Sequence, residues 1–163
     1  MILVVMGVTG AGKTTVGRLI AERLGARFAD ADDYHPAENV AKMRAGIPLD
    51  DADRAPWLAR LNGLLREADA KGESLVLACS ALKDAYRERL AQGVAGLRLV
   101  LLDGTREMLA SRLAGRTGHY MNPALLDSQL ATLERPDDAI VVWIDASPEE
   151  LASRALAALA RPD

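Results

Sequence analysis

Gly7-Val8-Thr9-Gly10-Ala11-Gly12-Lys13-Thr14 is a glycine-rich octapeptide ending on an ammonium and a hydroxyl, and each of its residue types answers a need of a bound polyphosphate. The glycines let the chain turn tightly, so that successive N–H groups and the start of a following helix converge on an anion. Lys13 brings a mobile positive charge to the β- and γ-phosphates, and Thr14 offers a hard oxygen to Mg²⁺. Gly7, Thr9, Gly10, Ala11, Gly12 and Thr15 complete the expected nucleotide cradle. Asp30-Ala31-Asp32 comes next. Alternate residues of an extended segment point the same way, so both carboxylates can face one site. One suits Mg²⁺ held through water, and the other suits the proton of an attacking hydroxyl. The same pair also reads as solvated loop aspartates or a helix cap. Arg112 and Arg116 stand four apart, on one face if a helix continues through them, and Gly115 and Gly118 bracket the stretch. Arginine forks suit nucleotide phosphates and the charge of a transferring phosphoryl group, so a lid over about 112–122 carrying them would complete the site.

Cys79-Ser80-Ala81-Leu82-Lys83 is the third stretch of interest. A nucleophilic cysteine needs a base, and nothing near Cys79 supplies one, so it reads as a packed small apolar residue. Ser80 stands where it would cap the following helix. Lysine is scarce in this arginine-rich chain, at positions 13, 42, 71 and 83, and three of the four fall in stretches chosen on other grounds. That placement suggests that Lys13, Lys42 and Lys83 serve as compact ammonium groups rather than as general charge.

These residues need a frame to hold them. Apolar runs of strand length recur between segments of helical period, which argues an α/β domain with a mainly parallel sheet. Five strands are predicted, at Ile2 to Met6, Arg27 to Asp30, Leu75 to Cys79, Leu97 to Leu102 and Ile140 to Ile144, mostly near-continuous Val, Ile and Leu as expected of strands covered on both faces. Helices are predicted over Thr14 to Leu24, Ala37 to Ala45, Arg54 to Ala70, Lys83 to Leu90, Thr105 to Leu113 and Pro123 to Leu133. A last one opens on the capping pattern Ser147-Pro148-Glu149-Glu150. The phosphate loop then sits between the first strand and first helix, the context it requires. Two polar stretches, 30–54 and 112–121, interrupt the rhythm after strand ends, where sites are built.

Composition bounds the rest. A chain of 163 residues, half of them hydrophobic, fits one domain, 1–163, able to bury its own core. The single cysteine excludes an internal disulfide, and one Cys with two His lacks zinc-ligand spacing, so a reducing, cytoplasmic setting is expected. A formal charge of −3 with one Phe, two Trp and three Tyr gives no basic patch or stacking platform for nucleic acid. The apolar start, Met1 to Met6, is too short to span a bilayer. A phosphate loop leaves three outcomes: GTPase switch, ATP-driven motor or regulator, and small-molecule kinase. No Asn-Lys-x-Asp guanine signature is present, and a motor needs more chain, so the kinase is favoured. A kinase needs an acceptor pocket and a lid, which the two polar stretches can supply.

Beyond the loop and the aspartates, the chain carries His35-Pro36, Asn39, Lys42-Met43, Gly46, Pro48-Leu49 and Asp53-Arg54-Ala55-Pro56-Trp57. Further on come Cys79 to Lys83, Tyr86-Arg87, Arg112, Arg116, Gly118-His119-Tyr120 and Gln129 to Glu134. In these the sequence resembles the thermoresistant-type gluconokinases, small P-loop kinases related in fold to shikimate and adenylate kinases. The HPxxNxxKM, DRxPW and CSALKxxYR stretches separate it from the shikimate kinases, which it resembles only in the loop and the Asp-x-Asp. The resemblance implies a three-layer P-loop kinase fold with a five-stranded parallel sheet, a substrate-binding insertion over about 31–72 and a short lid. It implies transfer of the ATP γ-phosphate to the 6-hydroxyl of D-gluconate, with Asp32 orienting the hydroxyl, Asp30 and Thr14 around Mg²⁺, and Lys13 and Arg116 serving the transfer. Lys42, Arg54, Lys83 and Arg87 would be donors to gluconate, with His35 and Ser80 in the same pocket, Arg112 on the nucleotide, and a homodimer as the assembly. A kinase for another small hydroxy acid such as shikimate, and a nucleotide-binding regulator without transfer activity, are the alternatives.

Overall fold

In a computed structural model, which describes residues 1–115 and 123–162, five strands form one all-parallel sheet. They are β1 (Ile2–Met6), β2 (Arg27–Asp30), β3 (Leu75–Ala78), β4 (Arg98–Asp103) and β5 (Ile140–Trp143), in the order β2-β3-β1-β4-β5. Among the described residues the helices are α1 (Lys13–Leu24), α2 (Ala37–Arg44), α3 (Asp51–Ala70), α4 (Asp84–Ala91), α5 (Arg106–Ala114), α6 (Pro123–Thr132) and α7 (Pro148–Leu159), with a 3₁₀ turn over Ala31–Tyr34. No helix of the described residues is long and apolar enough to cross a membrane.

The near-continuous apolar strands follow from two cores, one on each face. Leu3, Val5, Val76, Val100 and Leu102 point to one face and pack with Val16 and Ile20 of α1, Leu109 of α5, Leu126 of α6 and Leu151 of α7. Ile2, Val4, Met6, Leu75, Leu77 and Leu101 point to the other and meet Leu58, Leu61 and Leu65 of α3 and Leu90 of α4. With side chains alternating along a strand, a sheet covered on both sides must be apolar at every position. The edge is different: Val141 and Trp143 of β5 are exposed, so the expectation of double cover holds for the three central strands and not for β5.

The predicted elements match within a residue or so except at α3, which starts at Asp51 rather than Arg54. Asp50 and Asp53 form a reciprocal capping box there, each side chain accepting the other's backbone N–H, and this moves the start upstream despite Pro56 inside the helix. The stretch expected as a substrate-binding insertion, 31–72, divides in two. Residues 51–70 are α3, the crossover between β2 and β3 and half of one core, whereas the 3₁₀ turn, α2 and the loop to Asp50 stand at the carboxyl end of the sheet.

Candidate active site

All parallel strands end on the same edge, so the segments after β1, β2, β3 and β4 converge there. The loop after β1 is pressed into place from two sides. A Cβ on Gly7, at φ +146°, would lie 2.7 Å from the Leu102 carbonyl oxygen. One on Gly10, at φ +84°, would lie 2.7 Å from Leu113 of α5. Both positions need glycine for conformation and for space. Ala11 is buried beneath the loop, Thr9 and Gly12 are partly open, and Thr15 is exposed at the start of α1. Lys13 Nζ lies back along the loop, 3.1 Å from the Val8 carbonyl oxygen.

Thr14 Oγ1 donates to Asp30 Oδ2 at 2.7 Å, while Asp30 Oδ1 accepts the Asp32 N–H at 3.0 Å and caps the 3₁₀ turn. The turn is held from behind by Trp57, whose Nε1 donates to the Ala31 carbonyl at 2.7 Å. Thr14 and Asp30 are thus neighbouring hard oxygen donors, a pair that fits Mg²⁺ shared with phosphate and water rather than an all-protein cage. Among the described residues no group of three or more His, Cys, Asp or Glu could hold a metal ion. With its proton on Asp30, the Thr14 oxygen keeps lone pairs for the ion.

Asp32 stands exposed in the 3₁₀ turn, near enough to Lys13, Asp30 and His35 for their charges to act on it. Partial desolvation, then the Asp30 charge, raise its carboxyl above the 3.8 of an ordinary aspartate, against the pull of Lys13 and His35. His35 stacks on Trp57 with ring centroids 4.3 Å apart and planes at 12°. Asn39 Nδ2, which also donates to the Asp53 carbonyl at 2.9 Å, lies 3.3 Å from His35 Nδ1. Its second hydrogen makes Nδ1 the acceptor and leaves the proton on Nε2. Burial, with a contribution from Arg54, lowers the imidazole below 6.5 in spite of Asp32, so the ring is neutral near neutrality.

Two cations gather on Tyr86, with Arg54 near enough to His35 to act on it. Tyr86 carries Arg54 over its ring at 5.6 Å and Lys83 at 5.5 Å, and its hydroxyl donates to Asp51 Oδ1 at 2.7 Å. Lys83 Nζ is 3.7 Å from Asp51 Oδ1, and Arg54 Nη1 donates to the Leu49 carbonyl. Arg112, at the end of α5, donates through Nη2 to the carbonyls of Ile144 and Ala146, both at 2.9 Å. Its Nη1 would be 3.6 Å from a Cβ on Gly12, which sets the guanidinium beside the phosphate loop.

Three residues expected at the site are engaged with other parts of the protein. Lys42 is spent on Asp53, with both carboxylate oxygens within 2.8–2.9 Å, and joins α2 to the start of α3. Arg87 is buried and ties structure together: Nη1 donates to the Ala81 carbonyl at 2.6 Å, and Nη2 donates to the Glu134 carbonyl at 2.7 Å and pairs with Asp84. Ala81 has φ +47°, rare for a residue with a Cβ, and Arg87 pins that strained turn. Ser80 does not cap α4, whose N-cap is Lys83 with no side-chain bond. Its carbonyl instead accepts the Gly7 N–H at 3.4 Å. Cys79 is buried and its thiol is pushed up to about 12 by desolvation, in keeping with a packing role. Arg116, His119 and most of the expected lid lie outside the described residues.

Asp51 and Arg135 were passed over in the sequence, whereas Asn39, Asp53 and, at the end of α6, Gln129 to Glu134 were named only as part of the resemblance and given no role. There Gln129 Oε1 accepts the Thr9 N–H at 2.6 Å, Glu134 accepts the Asp84 N–H and donates its own N–H to the Leu82 carbonyl, and Arg135 forms a two-bond pair with Asp103.

Comparison with known proteins agrees with this geometry. A family model described as shikimate kinase matches residues 9–137. A gluconokinase of Gluconobacter oxydans is 53% identical over 83% of this chain and 76% of its own. The thermosensitive gluconokinase of Escherichia coli is 46% identical over 87% and 77%. The crystal structure of a gluconokinase from Sinorhizobium meliloti superimposes with a TM-score of 0.90 at 44% identity, covering 98% of this chain and 91% of that one.

Proposed function

On the premise that this chain belongs to the gluconokinases, within the wider shikimate kinase family, we propose that it transfers the γ-phosphoryl group of ATP to the 6-hydroxyl of D-gluconate, giving 6-phospho-D-gluconate and ADP. The observation that carries this reading is the grouping of Asp32, beside Lys13, with a cation pair, Arg54 and Lys83, held on Tyr86, the charges of Asp32 and Arg54 both acting on His35 between them in the chain. An acceptor with a carboxylate at one end and a primary hydroxyl at the other answers both.

In the reaction the 6-hydroxyl oxygen forms the new bond to the γ-phosphorus as the bond to the β–γ bridging oxygen breaks. Asp32 orients that hydroxyl and takes its proton, and a carboxylate with a raised pKa is the better acceptor for it. Lys13 and the loop N–H groups hold the phosphates, with Arg112 on the nucleotide side and Arg116 assigned to the transferring charge. Thr14 and Asp30 would hold Mg²⁺, which when bound offsets phosphate charge. Arg54 and Lys83 bind the gluconate carboxylate, and the neutral His35 offers its Nε2–H to a hydroxyl. Lys42 and Arg87 position the pocket walls rather than touching substrate, and Ser80 lines the floor through its backbone. The resemblance supports, in addition, a cytoplasmic homodimer of one domain.

An ADP-release assay with a panel of acceptors tests the reading. Gluconate is expected to give turnover well above shikimate and above water. A preference for shikimate would replace the substrate, and no acceptor above water would leave a nucleotide-binding regulator.

A further inference from the structure

The Gln129-to-Glu134 stretch has no part in the chemistry so far, yet it is fastened to the phosphate loop and to two neighbouring strand ends. Leu126 anchors α6 in the core, the backbone and side chain of Glu134 hold the β3–α4 turn, and Arg135 grips Asp103 at the end of β4. Gln129 is therefore set on a fixed helix, and its 2.6 Å bond to the Thr9 N–H is built rather than incidental. That N–H is the third of the loop Gly7–Thr14. Its neighbour is Val8, on whose carbonyl Lys13 Nζ rests at 3.1 Å. Since the lysine of such a loop serves the β- and γ-phosphates, the Thr9 N–H lies at the γ end. An N–H has one hydrogen, and Gln129 and a γ-phosphate oxygen cannot both be its main acceptor.

We propose that Gln129 is a positioning residue for the transferred phosphoryl group: its side-chain carbonyl competes with the γ-phosphate for the Thr9 N–H. The loop then discriminates less in favour of triphosphate over diphosphate than its own donors would. Once the phosphoryl group has moved to the acceptor, Gln129 reclaims the N–H and favours product release. The inference rests on the loop being an ATP site, but not on the identity of the acceptor.

Titration calorimetry with Mg²⁺ and either ADP or the β,γ-imido analogue of ATP tests it. Gln129→Leu removes the competitor at similar volume and is expected to raise the preference for the analogue over ADP by about three- to ten-fold, the size of one net hydrogen bond. Gln129→Glu holds the N–H more firmly and adds negative charge, and is expected to lower the preference by at least as much. Equal shifts for both ligands would reduce Gln129 to a structural role and overturn the proposal. In the unaltered protein the Thr9 amide resonance should move with the analogue and stay with ADP, a readout independent of how the variants fold; equal movement overturns it too. Failure of the unaltered protein to bind either nucleotide would overturn the phosphate-loop reading, and this inference with it.

Discussion

Asp32 is held in an environment that works against its charge: partial desolvation, with Asp30 next to it. Its raised pKa predicts the sign of two measurements. With Asp32 proposed as the acceptor of the hydroxyl proton, kcat/KM is expected to fall as pH drops through a window that lies above 3.8, and Asp32→Asn to lower kcat by about 10²- to 10⁴-fold while nucleotide affinity stays. For folding the sign reverses. The charged form costs stability fully above the folded pKa, and the cost disappears below the unfolded one, so Asp32→Asn raises Tm at neutral pH and loses that advantage in acid. Unchanged turnover in the variant would remove Asp32 from the reaction. The contacts of Lys13 with its loop and of Asp30 with Asp32 were legible in the sequence because local chain geometry makes them, whereas Thr14 meets Asp30 across 16 residues, through the fold. The partners of Lys42 and Arg87 were not, because a cation's contacts depend on which acceptor the fold delivers to it. Asp53 lies 11 residues from Lys42 and Glu134 lies 47 from Arg87, separations at which spacing says nothing.

Elements turn these residues into two classes of cation, and mutation separates them. Arg54 from α3 and Lys83 at the start of α4 share Tyr86 at the open wall. Replacing either with Ala is expected to raise the KM for gluconate by roughly 10- to 100-fold, as loss of a charge-assisted contact does, with little change in KM for ATP or in Tm. Arg87 belongs to the frame. Arg87→Met leaves the Ala81 and Glu134 carbonyls without their donor and is expected to cost about 2–4 kcal/mol, read as a lower midpoint in urea unfolding. If it instead raised the gluconate KM at unchanged stability, Arg87 would return to the pocket. At this scale most of the fold was legible, since burial on both faces writes strands as apolar runs and α1 and α7 carry their own start and stop signals. The start of α3 was hidden by Pro56, which draws attention to a later N-terminus, while the Asp50–Asp53 box that sets it is spelled in residues equally common in turns.

For the molecule as a whole, the site is also the place where the strand ends are joined. Gly7 N–H to the Ser80 carbonyl, Thr14 to Asp30, Trp57 to the Ala31 carbonyl, Glu134 to Leu82 and Arg135 to Asp103 link the segments after β1, β2, β3 and β4 with the end of α6. A nucleotide seated there adds bonds to several of these segments at once, and a ligand that binds the native state but not the unfolded one stabilises it by mass action. At a concentration 100 times its Kd the gain is about 2.7 kcal/mol. For a chain of this length about 2–4 °C accompanies each kcal/mol, so Mg²⁺–ADP is expected to raise Tm by about 5–11 °C. Lys13→Ala should remove most of that shift while leaving the unliganded Tm near its original value, because its ammonium acts on phosphate rather than on the core. Arg87→Met should do the opposite, lowering the unliganded Tm and keeping the shift. A Lys13→Ala protein still stabilised by the full amount would mean that the nucleotide binds somewhere other than the loop after β1.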